Sequence, residues 1–333
     1  MRALSSELDL EVVQTRYRGH ASHVAEAAAE AGYGVVLTLG GDGTVNEAVN
    51  GLLRANPPGG PGHMPGEHSG TQNPAPAGPA DGGPLPAGPA DGGPLPAGPA
   101  DGGPLPAGPA LAALPGGNAN VFPQALGMPA DPVDATGRVL AALTSGCTRI
   151  IGVGQASDRY FCFNAGLGID AEVVRAVEGL RAGGRPASTA LYVWAAMRQF
   201  YSVTNRREPA LTLERVGEPT LDGLFCGIVS NTSPWTYLGR RPVQVSPQAH
   251  FDTGLDLFAL RKLGTVGTLR AVRQMIWGDS RPPRGRHIVS LHDSPAFILN
   301  ATRPVAFQVD GEYMGERDSI TFRSIPNALR VIT

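Results

Sequence analysis

The sequence predicts an α/β protein, with a parallel-sheet layer in its N-terminal part and a β-rich C-terminal part. Three observations predict it. Residues 35–53 read as an apolar strand that runs through glycines into an amphipathic helix. A strand–helix–strand–helix order surrounds that unit. Near residue 148 the pattern switches to closely spaced strands. Strands alternating with helices favour a parallel sheet.

Leu8 to Thr15 alternates like a strand, with Leu8, Leu10 and Val12 on one side. Gly19 to Gly32 is alanine-rich and predicts a helix. Val35 to Leu39 is short, apolar and rich in β-branched residues, as a buried strand should be. Gly40, Gly41 and Gly43 then permit a tight turn. From Thr44 the period becomes helical: Val45, Ala48, Val49, Leu52 and Leu53 share one face. Residues 56–110 interrupt the pattern. The unit Pro-Ala-Gly-Pro-Ala-Asp-Gly-Gly-Pro-Leu occurs three times, at 76–85, 86–95 and 96–105, and a fourth copy stops at Ala110. One leucine per copy cannot build a core, so a disordered Pro/Gly insert is predicted. Leu111 to Pro115 is a short strand, 116–122 a second glycine loop, and Pro132 to Leu143 a helix. Strands are predicted near 149–153, 159–165, 223–230, 254–260, 287–291, 304–309 and 328–332, with helices near 170–178 and 188–203. This divides the chain into domains at 1–148 and 149–333.

Composition excludes several classes. The 333 residues, 42% hydrophobic, can bury a sizeable core. No apolar run of eighteen residues exists to span a membrane, and no secretory leader opens the chain. Cys147, Cys162 and Cys226 are odd in number and not at metal spacing, so they read as free thiols of a reducing, cytoplasmic compartment. Net charge is −2, and without the acidic insert the balance is 27 basic to 25 acidic residues. That excess is too small to argue for nucleic acid.

The glycine turn carries chemistry. It sets backbone N–H groups at a helix N-terminus, where phosphate binds. Asp42 lies inside the turn. A carboxylate beside a phosphate needs a cation between them, which implies Mg²⁺. The turn is not a Walker A loop, because the chain's only lysine is Lys262. Nor is it a dinucleotide fingerprint, which needs a glycine where Asn46 stands. Any basic phosphate contact therefore falls to arginine.

Gly40-Gly-Asp-Gly-Thr-Val-Asn-Glu47 resembles the nucleotide loop of the diacylglycerol and sphingosine lipid kinase catalytic domain, whose core NAD kinases share. Residues 114–122 resemble that family's P-G-G-T-x-N-D-F segment; Asn120 matches, Asn118 stands for Thr and Val121 for Asp. Residues 161–171 resemble its N-x-x-x-x-G-F-D-A block through Asn164, Gly168, Asp170 and Ala171. Residues 246–256 resemble P-x-A-x-x-D-D-G-x-L-D, with Asp252 kept and Thr253 replacing the second carboxylate. Val309-Asp-Gly-Glu312 resembles the family's D-G-E. An N-T-P-T-G-S-like region, expected of NAD kinase, is not present. Lipid kinases open with a strand ending in N-P-x-S-G; this chain begins at about the second strand, with Thr15 matching the family's next nucleotide-site Thr. The resemblance suggests a start codon further upstream; an inactive nucleotide- or lipid-binding relative is the other reading.

The resemblance implies a phosphofructokinase/NAD kinase-like nucleotide domain, a C-terminal β-sandwich and an active site between them. It implies ATP and Mg²⁺ as cofactors and a lipid hydroxyl as acceptor, diacylglycerol first and a sphingoid base or other lipid as the alternative; an NAD kinase-like enzyme is the rival reading. Glu312, oriented with Asp310, would accept the hydroxyl proton, and Asp42 would organise Mg²⁺. Thr15, Gly40, Gly41, Gly43, Thr44, Val45, Asn46, Glu47, Asn118 and Asn120 would shape the nucleotide site, and Asp252 a structural metal site. Membrane contact would be peripheral, with Trp235, Tyr237 and Trp277 near Arg240, Arg241 and Arg281 as the docking face. Assembly as a homodimer is compatible with this reading.

Overall fold

The parallel layer forms where the glycine-punctuated strands place it. The computed structural model describes residues 8–58, 106, 108–182, 208–239, 241–278 and 281–333. Helix α1 (His20–Glu30) buries Ala21, Ser22 and Ala25. It packs on helix α2 (Asp42–Ala55), where a Cβ on Gly51 would collide with the Ser22 carbonyl. Small residues on both helices thus allow close approach. Strand β1 (Val35–Gly40) feeds α2 and runs parallel to β2 (Ala110–Pro115), with Val35 opposite Ala110 and Gly40 opposite Pro115. β2 is buried along its whole length. Helices α3 (Val121–Ala125) and α4 (Pro132–Ser145) follow, and Asp131 caps α4 by accepting from Val133 N and Asp134 N.

The second half is mostly antiparallel. β3 (Arg149–Ala156) and β4 (Arg159–Phe161) form a hairpin, and β5 (Asn164–Gly168) leads into α5 (Ile169–Ala182). β6 (Leu211–Glu214), β7 (Leu221–Leu224) and β8 (Cys226–Ser230) follow. β9 (Thr236–Leu238) and β10 (Arg241–Val243) make a separate hairpin. β11 (Leu255–Leu260), α6 (Thr265–Trp277) and β12 (Ile288–Ser294) precede two long strands, β13 (Ala296–Val309) and β14 (Glu312–Val331). The result is one large mixed sheet in the order β1-β2-β14-β13-β5-β8-β11-β12, with β3 and β4 joined at β14 and β6 and β7 at β13.

The end of β14 returns to the parallel layer, Val331 opposite Leu111. Leu329, Val331 and Ile332 therefore share a core with Val49, Leu52, Leu114 and Phe122. β13 shifts register between Asn300 and Val305. Residues from both its halves, Phe297 and Leu299, Phe307 and Val309, meet in a second core. A third lies across β8 and β11: Val229 and Leu257 face the second core, Ile228 and Phe258 the third.

The structure corrects several expectations. Leu8 to Thr15 is not a strand; Leu8 and Leu10 pack against the first core and the rest is exposed. Alternation alone cannot make a strand without a sheet edge to receive it. The insert ends earlier than Ala110, which is buried in β2. Most of the repeat, and the helix expected near 188–203, lie outside the described residues. β6, β9, β10 and α6 were not expected: the first three are very short, and α6 presents only Ala271 and Met275 as buried residues. No helix among the described residues is long and apolar enough to cross a membrane.

Candidate active site

Two bare backbones meet at the C-terminal ends of β1 and β2. The strands are parallel neighbours, so the loops that follow them lie side by side, and Gly116 N donates to Gly40 O at 2.9 Å. A Cβ on Gly116 would stand 2.9 Å from Gly40 N, and one on Gly117 would meet the Gly41 backbone. Only glycine permits this approach, so the two loops meet backbone to backbone and form a glycine cradle. α2 starts from Gly41 without a side-chain cap. Its first turn is therefore suited to an anion.

Asp42 ties the two loops together. Its Oδ2 accepts from Val121 N at 3.0 Å and its Oδ1 from Phe122 N at 3.1 Å. Burial pushes its carboxyl above the ordinary range, while these backbone bonds pull the other way. Asn120 holds the second loop by its own amide: Oδ1 accepts from Gly117 N at 2.8 Å and Nδ2 donates to Gly117 O at 3.0 Å. Its backbone is left-handed, at φ 47. Asn120 thus shapes the cradle by clasping the chain, and its amide is committed there. Asn118 is exposed at the loop's tip.

The acidic turn between β13 and β14 closes the site. Asp310 is buried and left-handed, at φ 45. Its Oδ2 accepts from Cys162 N and from Asn46 Nδ2, each at 2.7 Å. Its Oδ1 accepts from Phe163 N and Asn164 N, each at 3.0 Å. Burial pushes this carboxyl up to about 6 in spite of the four donors. Asn46 also donates to Tyr160 O at 3.0 Å and receives Arg159 Nη2 on its Oδ1. Asp310 and Asn46 are therefore positioning residues that lock α2 to β4, β5 and the acidic turn.

Glu312 faces the cradle. A Cβ on Gly43 would collide with its Oε1, so the carboxylate rests on the first turn of α2. Arg18 Nη2 lies 3.4 Å from Glu312 Oε2 and donates to Tyr313 O at 3.1 Å. Burial raises the Glu312 carboxyl; Arg18 and Arg159 oppose this, and Glu47 and Glu178 add to it. Tyr237 stands nearby: burial first, then the Asp42 carboxylate, push its hydroxyl up.

Other expected site residues have different tasks. Val45 is a core residue, 1% exposed, because it falls on the buried face of α2. Glu47 points back to α1, accepting from Gly19 N at 2.7 Å and Ala21 N at 3.1 Å, and so caps that helix. Thr44 packs its Oγ1 against Gly40. Thr15 is exposed ahead of α1. Asp252 makes an exposed ion pair with Arg149 at 2.7 Å and braces the turn after residue 251. Asp170 is buried, accepts from Gln308 Nε2 at 2.7 Å, and is pushed up to about 6. Arg18 and Arg159 were missed, although a chain with a single lysine directs attention to its arginines.

Among the described residues no group of three or more His, Cys, Asp or Glu could hold a metal by itself. Mg²⁺ bound alongside a nucleotide needs only one or two carboxylates, with phosphate oxygens and water completing the octahedron. The Asp42 oxygens each accept one well-formed N–H bond, from Val121 and Phe122, with the Asn120 and Asp42 backbone as weaker further donors, so a metal would share their remaining lone pairs with these weaker donors. Asp42 and the glycine cradle beside it therefore fit a Mg²⁺–nucleotide pair.

Residues 2–156 match the family model of the diacylglycerol kinase catalytic domain. The fold resembles crystal structures of proteins from Bacillus anthracis str. Sterne assigned as diacylglycerol kinases. One gives a TM-score of 0.64 at 17% identity, over 97% of this chain and 85% of that one. A second gives 0.62 at 18% identity, over 97% and 86%. At such identity the likeness speaks for the fold alone. No curated protein matches the chain.

Proposed function

The chain belongs to the diacylglycerol kinase-like catalytic-domain family, matched over residues 2–156, and on that premise we propose that it transfers the γ-phosphoryl group of ATP to a lipid hydroxyl, diacylglycerol being the preferred acceptor. The observation that carries this reading is the contact between Glu312 and Gly43. It sets a carboxylate of raised pKa against the helix turn where phosphates would lie. The two parts of the site come from opposite ends of the chain. We read it as a cleft between a nucleotide-binding lobe and a β-rich lipid lobe.

Phosphoryl transfer depends on positioning and on neutralising charge. The glycine cradle and the first turn of α2 would bind the nucleotide phosphates through backbone N–H groups. Asp42 would hold Mg²⁺, which when bound neutralises charge on the transferred group. Glu312 would accept the proton of the lipid hydroxyl as its oxygen attacks. Asp310 and Asn46 would fix Glu312 relative to α2 without touching substrate. Arg18, 58% exposed along its side chain, can leave Glu312 for a phosphate oxygen.

The test is product analysis with radiolabelled ATP, Mg²⁺ and a panel of diacylglycerol, sphingoid base and NAD. Labelled phosphatidic acid is the expected product. Labelled NAD phosphate with no lipid product would overturn the assignment. Glu312→Gln should lose roughly 10²–10⁴-fold in turnover with nucleotide affinity little changed. Full activity in that variant would remove Glu312 as the base.

A further inference from the structure

Helix α6 was invisible in the sequence pattern because its apolar residues are divided between two faces. Ala271 and Met275 are buried in the third core. On the other side Val266 is 83% exposed, Leu269 52% and Trp277 59%. On a 3.6-residue period these three share one stripe with Arg270 and Arg273. α6 has no acidic residue. Between Arg261 and His287 the sequence holds seven arginines and lysines against one acid, Asp279. Arg241, on β10, lies 5.5 Å from the centroid of the Trp277 ring. Exposed apolar side chains ringed by arginines are not what a freely solvated helix presents.

We infer that the outer face of α6 is the surface by which this protein docks on an anionic phospholipid membrane. Charge complementarity selects this occupant. The apolar stripe suits the acyl boundary and the flanking arginines suit phosphate headgroups, as in helices that lie in a membrane interface. The hairpin β9–β10 joins this face to the site. Gln244 N, just beyond β10, donates to Met275 O of α6 at 2.8 Å. Four residues before β10 begins, Tyr237 of β9 feels the Asp42 carboxylate, and Asn164 Nδ2 donates to Trp235 O at 3.0 Å. A bilayer under α6 therefore lies next to the connection that borders the cradle. The expected docking face is revised accordingly. Trp277 and Arg241 belong to it. Trp235 and Tyr237 are half-buried packing residues. Arg240 lies outside the described residues.

The inference rests on the lipid-kinase reading for its purpose, but its test does not require turnover. The full chain is sedimented with vesicles of phosphatidylcholine alone and of phosphatidylcholine mixed with phosphatidylglycerol. Arg270→Ala with Arg273→Ala should weaken binding to the anionic vesicles roughly 30-fold, from the usual contribution of two basic residues at such a surface. Val266→Ser with Leu269→Ser should weaken binding to both. All four positions are exposed, and a melting temperature equal to the parent's excludes misfolding. Vesicle binding unchanged in both variants would overturn the inference. So would a loss of self-association in gel filtration with vesicle binding intact, which would make α6 a contact between copies. If the parent forms no lipid product yet the variants lose vesicle binding, the docking surface stands and the kinase reading fails. If micellar diacylglycerol is phosphorylated equally by parent and variants while vesicle binding falls only in the variants, both stand.

Discussion

Gly43 shows how one missing side chain can define a catalytic site. Its backbone angles are ordinary, so alanine meets no conformational penalty there, and helix propensity favours it. The obstacle is Glu312, whose Oε1 occupies the space a methyl group would need. Because that carboxylate ends a flexible side chain, it can swing aside without disturbing the core. Gly43→Ala should therefore leave stability unchanged or raise it by less than about 1 kcal/mol. Turnover should fall roughly 10²-fold, since a displaced base loses its alignment. Denaturant unfolding and single-turnover kinetics on the same protein separate the two effects. A variant that is fully active would show that Glu312 does not act from the position it holds.

At the scale of elements, the site is a junction of three pieces: the start of α2, the start of α3 and the turn between β13 and β14. Asp42 makes the first junction with two charge-assisted bonds to backbone N–H groups. Asp42→Asn replaces one accepting oxygen by an NH₂ that faces a donor. The second loop should loosen at a cost of about 1–2 kcal/mol. Mg²⁺-dependent nucleotide binding should weaken as well, because the metal loses its carboxylate. Unfolding measured without nucleotide isolates the first effect, and titration of ATP with and without Mg²⁺ the second. Equal stability of parent and variant would mean that the two bonds contribute nothing.

Over the whole molecule, buried acids give stability a direction in pH. Asp170 and Asp310 have carboxyls pushed up to about 6 by burial, against about 3.9 in an unfolded chain. Between about pH 4 and 6 the unfolded chain releases protons that the native state keeps. Their contribution to stability is therefore complete below about pH 4 and lost as pH rises through about 6. Asp170→Asn keeps an acceptor for Gln308 and removes one titration, so its melting temperature should fall less between these pH values than the parent's. Identical slopes would show that Asp170 stays charged throughout. The repeat segment offers a second test at this scale. Asn56 Nδ2 would stand 2.6 Å from a Cβ on Gly108, so the chain leaves the fold and returns to it at one place. Excising 59–105 and joining the ends with a short glycine-serine link should preserve turnover and add no more than about 2 kcal/mol of stability, because closure entropy grows slowly with loop length. Loss of cooperative unfolding would show that the excised residues pack against the fold.

What the sequence determined by itself was local. Val35 to Leu53 announced a strand, a glycine turn and a helix because side-chain period and glycine content act within a few residues. The Asp310–Glu312 turn was legible for the same reason. Even α5 and most C-terminal strands could be placed from pattern alone. Tertiary structure decided everything that depends on partners far along the chain. It turned Glu47 toward the N–H groups of α1, sent Val45 into the core and gave Asp252 to Arg149. It denied Leu8 to Thr15 a sheet edge, and it left one side of α6 uncovered. Above all it brought Glu312 onto Gly43. That contact follows from Asp310, two residues before Glu312, accepting from Asn46 of α2 and from Cys162, Phe163 and Asn164, while the end of β14 returns beside β2; long-range pairing of this kind is set by the burial of the shared core, not by the pattern of either segment.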